Sequence, residues 1–290
     1  MTDPGHRAGV VALLGRPNAG KSTLLNRLLG EKLAITTPKP QTTRSRILGI
    51  LTLPEAQVLL VDTPGMHSGS KLLNLAMTQQ VEEAARNCDA ALLLVDLTVG
   101  WDERHSDLTR DLRAAGTPFL VVGSKLDLLR GPAEAWPSEA PEPLQISART
   151  GEGIDTLREA VVALLPESPQ LYPGDQLSDR PLRFLAAELV REAAFEELSQ
   201  ELPYSLAVEV EEFDEKHASA VRIRANLILE RNTQKAMVIG EGGRMIKRIG
   251  VRARREVEKL VGRKVHLELW VKVEPKWSKH PRRLRSLGYW

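Results

Sequence analysis

The chain has 290 residues, of which 42% are hydrophobic and 27% are charged, and its formal net charge is +2. This length predicts about two domains, each with a core of its own. No apolar run reaches the roughly 18 residues of a membrane span, the first residues contain no signal-peptide core, and Cys88 is the single cysteine, so we expect a cytoplasmic protein without disulfides.

The charge is divided unevenly along the chain. Residues 1–221 contain 21 lysines and arginines against 32 acidic residues, whereas residues 222–290 contain 19 against 6. The local net charges are therefore −11 and +13, which together give the overall +2. Such a difference indicates that the two halves bind different partners, and the basic half is typical of binding to nucleic acid or anionic lipid.

The first predicted elements enclose a phosphate-binding sequence. An apolar strand over 10–14 precedes GRPNAGKS (15–22), and a helix is predicted over 23–29. In the order strand, glycine loop, helix, the pattern GxxxxGK[ST] binds phosphate through backbone N–H groups and the helix N-terminus. Lys21 then reaches the outer phosphates, and Ser22 offers a hydroxyl to Mg²⁺. The candidate nucleotide-binding residues of this loop are Gly15, Arg16, Pro17, Asn18, Ala19, Gly20, Lys21, Ser22 and Thr23.

A second signal for Mg²⁺ follows two predicted strands, over 47–53 and 57–61. The second strand ends in Asp62-Thr63-Pro64-Gly65, and Asp62 lies 40 positions after Ser22. An aspartate at the carboxyl end of a strand, followed by glycine three residues later, predicts water-mediated Mg²⁺ binding and a backbone N–H directed at the γ-phosphate. Between these elements, the polar segment 34–44 predicts a loop over the nucleotide.

The rest of the first half alternates helices and strands. We predict helices over 72–87, 104–115 and 156–165, and buried strands over 90–95, 118–122 and 144–146. Strands and helices in alternation, with functional loops at the carboxyl ends of strands, are typical of a doubly wound, mostly parallel α/β sheet. GSKLD (123–127) and SAR (147–149) follow the last two strands.

The second half has the predicted order α-β-β-α-α-β. It begins after a proline-rich linker (166–181), with a helix over 182–199, strands over 204–213 and 219–230, helices over 233–239 and 244–261, and a strand over 264–273. The sequence GEGG (240–243) separates the last two helices, and the second of them is rich in arginine and lysine. Glycines at such a turn let a nucleic-acid backbone approach helix N-termini, although a simple turn between packed helices is the alternative.

The last 16 residues, PKWSKHPRRLRSLGYW, mix cations with Trp277, Tyr289 and Trp290. This mixture predicts base stacking combined with phosphate contacts. A disordered, solubilising tail is the alternative.

Several of these sequences together resemble a known family. GRPNAGKS, DTPG, SKLD and SAR resemble the G1, G3, G4 and G5 boxes of translation-factor-related GTPases, and GxxG in the order α-β-β-α-α-β resembles a type II KH domain. With PQTTR (40–44), IGEGGRMIK (239–247) and LRSLGY (284–289), the layout resembles the Era-like family of bacterial ribosome-assembly GTPases. The resemblance implies an α/β P-loop GTPase domain (1–168), a linker (169–181), an α+β type II KH domain (182–274) and a basic, aromatic tail (275–290).

The resemblance also assigns the guanine pocket. Asp127 would accept hydrogen bonds from guanine N1–H and N2–H₂, and Ser124, Lys125, Ser147 and the backbone N–H of Ala148 would complete the pocket. The family has asparagine at the position of Ser124, so we expect one amide interaction with the base and the phosphate loop to be absent or weakened.

Other assignments concern catalysis. The resemblance implies that Lys21, Thr43, Asp62 and Gly65 act in GTP hydrolysis, with Ser22, Thr43 and, through water, Asp62 as the Mg²⁺ ligands. Thr43 is preferred to Thr42 because it directly precedes Arg44, as in related enzymes. Met66 follows DxxG, where Ras-like enzymes have a water-orienting glutamine, so the chain resembles GTPases that lack this residue. In that class an asparagine such as Asn18 helps to hold K⁺; stabilisation of the loop is the alternative.

For the second half, the resemblance implies binding to the 3′ end of 16S rRNA during maturation of the 30S subunit, under control of the GTP state. It also implies a loose, peripheral association with the cytoplasmic side of the inner membrane, and we expect a monomer. The candidate RNA-binding residues are Gly240, Glu241, Gly242, Gly243, Arg244, Lys247, Arg248 and Trp277. Glu241 departs from the family, which usually has a basic residue at this position.

Two rival functions remain. Other GTPases without the glutamine, which act in tRNA modification or large-subunit assembly, would need a different accessory domain or a second GTPase domain, and the sequence contains no second P-loop. An RNA-binding protein that has lost hydrolysis would belong to a different class, and Ser124 is its only support.

Overall fold

The structure is a computed structural model and describes residues 5–37, 39, 42–64, 72–131, 136–199, 202–216 and 219–289. The chain forms two compact units. The first unit comprises Met1–Ala34, Thr43–Ser68 and Met77–Asp179, and the second comprises Ile35–Thr42, Gly69–Ala76 and Arg180–Trp290. The boundaries of domains, linker and tail stated above remain a prediction.

The first unit is built on one six-stranded sheet. Its strands are β1 (Arg7–Gly15), β2 (Ile47–Thr52), β3 (Ala56–Asp62), β4 (Ala90–Asp96), β5 (Phe119–Ser124) and β6 (Leu144–Gln145). They lie in the order β2-β3-β1-β4-β5-β6, and only the pair β2 and β3 is antiparallel. The helices are α1 (Lys21–Leu29), α2 (Leu72–Arg86), α3 (Glu103–Ala114) and α4 (Ile154–Leu164), and the first residues of α2 belong to the second unit. The predicted α/β fold with a mostly parallel sheet is confirmed.

The central strands explain where the site forms. Leu92, Leu93 and Leu94 in β4 have no exposed surface, as expected for a parallel strand that is covered on both faces. Parallel register sets the carboxyl ends of the strands at one edge, because Leu13 lies opposite Asp62 and Gly15 lies opposite Leu94. The chemistry-bearing residues that follow these strands are therefore brought together.

The second unit contains α5 (Leu182–Glu197), β7 (Ala207–Asp214), β8 (Val221–Leu229), α6 (Asn232–Ile239), α7 (Arg244–Val261) and β9 (Val265–Val273). Its sheet has the order β7-β8-β9, with β7 antiparallel and β9 parallel to β8. Buried residues of α5 and α7 pack with one face of this sheet in a single apolar core. In α7 the inward residues Ile249, Ala253 and Val257 are spaced four apart, which is the period of one helix face.

The tail is folded onto the other face of this sheet. A 3₁₀ turn (Trp277–Lys279) leads into α8 (Pro281–Ser286), and the ring of Trp277 is fully buried. Trp277 and Leu284 belong to an apolar cluster with Ala207 of β7 and Ile228 of β8. The expectation that Trp277 stacks on RNA is therefore wrong, because its ring is inside a core.

The loop segment Ile35–Thr42 is also anchored within the second unit. The backbone N–H of Thr36 donates to Glu192 Oε1 at 2.8 Å, and Lys39 Nζ donates to the carbonyl oxygens of Phe195 and Leu198. A cation at the last carbonyls of α5 is favourable, since they carry the negative end of the helix dipole. Among the described residues, no helix is long and apolar enough to cross a membrane.

Candidate functional site

The phosphate loop, residues 15–22, connects the end of β1 to the start of α1. Gly15 has φ 141°, and a Cβ there would lie 2.5 Å from the carbonyl oxygen of Leu94, so only glycine fits. Gly20, at φ 95°, is the N-cap of α1. The buried ammonium of Lys21 donates to the carbonyl oxygens of Gly15 at 3.0 Å and Arg16 at 2.9 Å. The lysine is thus held inside the loop, beside the N-terminus of a helix, which is a favourable position for phosphate.

Three oxygen-bearing side chains converge beside this loop. Ser22 Oγ donates to Asp62 Oδ2 at 2.6 Å and lies 2.9 Å from Thr43 Oγ1. Asp62 ends β3 and is fully buried, and its Oδ1 has no hydrogen-bond partner. Hydroxyl and carboxylate oxygens are the ligands that Mg²⁺ prefers, and an unpartnered buried carboxylate oxygen is suited to a cation or its water. Ser22, Thr43 and Asp62 therefore fit the Mg²⁺ site predicted for them.

The two buried charges of this site have opposite pKa shifts. Burial raises the pKa of Asp62 to about 6, against the hydrogen bond from Ser22 and the charge of Lys21. Burial lowers the pKa of Lys21 to about 8, and the charge of Asp62 opposes this shift. Both shifts arise from lost hydration, so a cation next to the carboxylate and a phosphate next to the ammonium would each favour the charged form.

The residues after Asp62 are described only in part. Thr63 is buried, and its hydroxyl donates to the carbonyl oxygen of Leu13 at 2.7 Å, which fixes the end of β3 against β1. Pro64 is also buried. Gly65, predicted to direct its N–H at the γ-phosphate, and Met66, at the position of the water-orienting glutamine, lie outside the described residues.

The predicted guanine pocket is assembled from the ends of β5 and β6. Asp127 Oδ1 accepts a hydrogen bond from Ser147 Oγ at 2.7 Å, and Arg149 Nε lies 3.6 Å from Asp127 Oδ2. Ser147 is fully buried, and Ala148 follows it in the loop before α4. The structure thus brings the SKLD and SAR sequences together, as expected from strands that run parallel to each other.

Ser124 still bonds to the phosphate loop. Its hydroxyl lies 2.7 Å from the carbonyl oxygen of Ala19 and 3.2 Å from that of Val95. A hydroxyl on the buried end of β5 thus bonds to the phosphate loop, and the weakening expected from the missing amide stays a prediction.

Two positioning residues of this pocket were not found from the sequence. Asp96 Oδ2 accepts a hydrogen bond from Lys125 Nζ at 2.7 Å, and Lys125 itself has a left-handed backbone at φ 61°. Arg27 of α1 donates to the carbonyl oxygens of Ala148 at 2.8 Å and Arg149 at 2.6 Å. A polar residue at the end of the buried strand β4 was a signal for Asp96, whereas nothing in the helical sequence around Arg27 marks it.

The candidate RNA site lies in the second unit, at the turn between α6 and α7. Gly240, Gly242 and Gly243 have φ of 71°, 58° and 78°, and a Cβ on either of the last two would meet no atom within 4 Å. The turn is therefore open, and it precedes the N-terminus of an 18-residue helix. Backbone N–H groups at such a place favour phosphate.

The charges around this turn are partly paired. The carboxylate of Glu241 forms an ion pair with Arg244, so the unusual acidic residue has a cation beside it. Lys247 is exposed, and Arg248 pairs with Glu197 of α5 at 2.5 Å. Arg244, Lys247 and Arg248 are all exposed, and their spacing places them on one face of the first turns of α7. Trp277, the last candidate, is in the core under the tail and is not part of this site.

Comparisons with known proteins give matches to both halves of the chain. A family model described as "50S ribosome-binding GTPase" matches residues 10–125, and one described as "KH domain" matches residues 201–278. GTPase Era of Geobacter metallireducens is 44% identical over 297 residues, with 100% of each chain covered. GTPase Era of Pseudomonas fluorescens is 44% identical over 299 residues, which cover 100% of this chain and 99% of the relative.

Two crystal structures match over almost the whole chain. One is an Aquifex aeolicus Era variant bound to GDP and AlF₄⁻, and the other is Era in complex with MgGDPNP and nucleotides 1506–1542 of 16S ribosomal RNA. Each has a TM-score of 0.91 and 38% sequence identity, and covers 98% of this chain and 99% of the other. The similarity therefore includes both halves of the molecule in the same order.

Proposed function

The chain belongs to the Era family of GTPases, and we propose that its GTP state controls binding to the 3′ end of 16S rRNA during assembly of the 30S ribosomal subunit. The main support for the RNA-binding part of this proposal is the open turn Gly240–Gly243. Two of its glycines leave room for a nucleic-acid backbone next to the N-terminus of α7, in the α-β-β-α-α-β arrangement of a KH domain.

The chemistry of the first unit is hydrolysis of GTP to GDP and phosphate. Lys21 would hold the outer phosphates, and the oxygens of Ser22, Thr43 and Asp62 would hold Mg²⁺. The metal supplies charge stabilisation for the phosphoryl group that is transferred. We propose that the backbone N–H of Gly65 orients the γ-phosphate and that no side chain acts as the water-orienting glutamine, since Met66 occupies that position.

We also propose that K⁺ binds near the phosphates with help from Asn18. Asn18 is exposed at the edge of the phosphate loop and has φ 62°, so its side chain is presented on the outside of the loop. A monovalent cation there would add the positive charge that other GTPases obtain from an arginine finger.

The surroundings of the protein are a further part of this proposal. We propose that it acts as a monomer in the cytoplasm and associates loosely with the inner face of the membrane. The positive charge of residues 222–290 supports attraction to anionic lipid as well as to RNA. Sedimentation with anionic vesicles in low and high salt tests the membrane association.

The decisive experiment compares one glycine substitution at two sites. Gly242→Asp places a negative side chain in the open turn, and we expect affinity for an RNA of the 3′ end of 16S rRNA to fall roughly tenfold or more, because about four nucleotides should pass there. Gly262→Asp is the matched control, since Gly262 has φ 70° and also has no atom within 4 Å of its Cβ position, at the other end of α7.

Affinity for GDP should be the same in both variants and the parent protein. RNA binding that is equal in the two variants would contradict the assignment of the turn. Binding of a scrambled RNA as tightly as the 16S sequence would contradict the proposed target.

A further inference from the structure

The connection between β4 and α3, residues 97–102, runs beside the phosphate loop. β4 lies next to β1, with Leu94 opposite Gly15, so the chain that leaves β4 passes the first residues of the loop. The last residue of the connection, Asp102, accepts a hydrogen bond at Oδ2 from Arg16 Nη1 at 2.8 Å, across 86 positions of the chain. A connection that contains none of the GTPase boxes is thus bonded to the phosphate loop.

Arg16 shapes the loop through its backbone. Its carbonyl oxygen accepts hydrogen bonds from the N–H of Ala19 at 3.2 Å and from Lys21 Nζ at 2.9 Å. The first bond closes a turn in the loop, and the second holds the ammonium that is expected to contact the outer phosphates. The side chain of Arg16 leaves the loop and ends at Asp102. The position of this carbonyl oxygen is therefore constrained by the bond that the side chain makes.

Asp102 is itself held at its other oxygen. It is the N-cap of α3, and its Oδ1 accepts the backbone N–H of His105 at 3.3 Å. Nδ1 of the His105 ring lies 2.6 Å from the same oxygen and 3.0 Å from the backbone nitrogen of Asp102. The shorter distance, to a carboxylate, places a proton on Nδ1, which donates to Oδ1. Oδ1 is therefore bonded to the helix, and Oδ2 is directed at Arg16.

The ring of His105 is fixed and, at neutral pH, uncharged. It is buried against Trp101, with ring centroids 5.3 Å apart, and the Trp101 ring lies 5.3 Å from that of Trp136. Burial lowers the pKa of His105; the charge of Asp102 opposes this shift, and the charge of Arg16 adds to it. Among the described residues, its buried Nε2 has no hydrogen-bond partner, so a second proton there would be costly. A neutral ring orients the carboxylate and leaves its negative charge to Arg16.

We propose that Asp102 is a positioning residue for nucleotide binding, which holds the phosphate loop in its binding conformation through Arg16. The carboxylate fixes the guanidinium, and the Arg16 carbonyl oxygen in turn fixes the Lys21 ammonium. Asp96, at the end of β4, bonds to Lys125 of the base pocket at 2.7 Å. The segment between the two aspartates thus supports both the phosphate end and the base end of the nucleotide. This inference rests on the proposed binding of GTP by the phosphate loop.

The expected kinetic effect distinguishes positioning from stability. A loop that is already ordered loses less conformational freedom when a phosphate binds. The loop contacts phosphates that GDP and GTP share, so loss of the bond should weaken both nucleotides alike. Because hydrolysis without the glutamine is slow, KM should follow the dissociation constant, and it should rise while kcat stays nearly constant. A purely structural defect of α3 would instead reduce the amount of active protein, which lowers the apparent kcat and leaves KM unchanged.

The test is steady-state GTP hydrolysis and titration with fluorescent GDP, both on the full chain. Asp102→Asn keeps a helix-capping side chain of the same size and removes the charge. We expect it to raise KM and the dissociation constant of GDP about threefold, within the range for a partly exposed ion pair, and to change kcat by less than about twofold. Asp107→Asn, at another partly exposed aspartate of α3, paired with Arg110, is the matched control and should alter none of these values.

A double-mutant cycle tests whether Asp102 acts through Arg16. Arg16→Met keeps most of the apolar stem and removes the guanidinium, and it should raise KM by a similar factor. If the two side chains act as a pair, the double variant Arg16→Met with Asp102→Asn should bind no more weakly than either single variant. A full product of the two effects, about ninefold, would show that they act independently and would overturn the proposed role.

Thermal unfolding of each variant checks that the fold is intact. If Asp102→Asn does not fold, Arg16→Met tests the same prediction, since the Arg16 side chain is partly exposed. An unchanged KM, or a fall in kcat alone, would contradict the positioning role. If the parent and the variants bind GDP and GTP equally well, only this inference fails; if the parent binds neither nucleotide, the proposed function of the phosphate loop fails.

Discussion

Ser124 bonds to the phosphate loop, and Asp127 is placed to bind the base. The Ser124 hydroxyl reaches the carbonyl oxygen of Ala19 at 2.7 Å, so the end of β5 stays bound to the phosphate loop although the side chain is shorter than asparagine. Asp127 is oriented by Ser147 Oγ at 2.7 Å. A carboxylate that is held in this way can accept two N–H groups of guanine, which adenine does not offer. Base selectivity should therefore depend on Asp127 rather than on Ser124.

We predict that Asp127→Asn changes the preferred base. The substitution should weaken GTP binding by about 2 kcal/mol, the worth of hydrogen bonds to a charged group, and should improve binding of xanthosine triphosphate. Fluorescent nucleotide titrations measure both. Asp155→Asn, at an exposed residue of α4, is the control and should change neither. Unchanged GTP affinity in Asp127→Asn would contradict the assignment of SKLD to the base pocket.

A second prediction at this scale concerns K⁺ and Asn18. GTP turnover should be faster in K⁺ than in Na⁺, and removal of the Asn18 side chain should abolish the difference. Asn18→Gly is the sharper variant, because glycine adopts φ 62° without strain, whereas Asn18→Ala adds backbone strain to the loss of the amide. Turnover in the two salts is the measurement. A K⁺ preference that survives in Asn18→Gly would leave Asn18 with only a role in loop stability.

At the scale of elements, one ion pair fastens the tail to the sheet. Both oxygens of Glu209 in β7 accept hydrogen bonds from Arg283 of α8, and Arg283 also lies 2.9 Å from Glu274. These hydrogen bonds from Arg283 hold the pKa of Glu209 below its usual value. The pair therefore stabilises the folded tail in its ionised form, and this contribution depends on pH.

We predict that Glu209→Gln destabilises the protein at neutral pH by about 1 kcal/mol or less, since the pair is partly exposed and screened by solvent. A glutamate whose pKa is lowered in the folded state stabilises the folded protein at pH values above the ordinary glutamate pKa of about 4.3. This stabilisation is lost as the pH falls through the pKa of the folded state. The difference in unfolding free energy between parent and variant should thus shrink in acid. Urea unfolding at neutral and acidic pH measures it, with Glu256→Gln, in a partly exposed pair with Lys259 on α7, as the control. A difference in unfolding free energy that does not change with pH would contradict this account.

At the scale of the whole molecule, the chain connects the nucleotide site directly to the second unit. Thr43 lies at the site in the first unit, and the residue before it, Thr42, belongs to the segment Ile35–Thr42 that is anchored on α5. One peptide bond therefore joins Thr43 to a segment of the second unit. This connection supplies a physical route for coupling between GTP and RNA.

We predict tighter RNA binding with a non-hydrolysable GTP analogue than with GDP, by about fivefold or more, and an equal tightening of the GTP analogue by RNA, because coupling free energy is reciprocal. RNA titrations in one buffer with each nucleotide, and nucleotide titrations with and without RNA, measure both factors. Equal RNA affinities in the two nucleotide states would make the units two independent binding modules.

Local sequence was sufficient for most of the architecture. The helix predicted over 244–261 is α7 as observed, and the buried strand predicted over 90–95 is β4 with one more residue. Apolar periodicity determines such elements, because each must bury one face or both. Errors were local at the ends: the helix predicted over 182–199 is α5, which ends at Glu197. The nucleotide-site residues were also predictable, since phosphate binding requires particular residue types at fixed spacing along one strand, loop and helix.

Tertiary structure alone decided which aromatic ring is accessible. Trp270 and Trp277 are seven positions apart among similar cations; Trp270 is 58% exposed and Trp277 is fully buried, whereas the sequence favoured Trp277. Trp277 is buried because the tail packs on residues of β7 and β8 about 50 to 70 positions away, and local periodicity contains no information on such packing. The bonds from Arg27 to the loop of Ala148 likewise join residues 121 and 122 positions apart. By itself the sequence determined the elements and the chemistry of the phosphate site; the burial of Trp277, the exposure of Trp270 and the supports of the guanine pocket depend on interactions that exist only once the chain is folded.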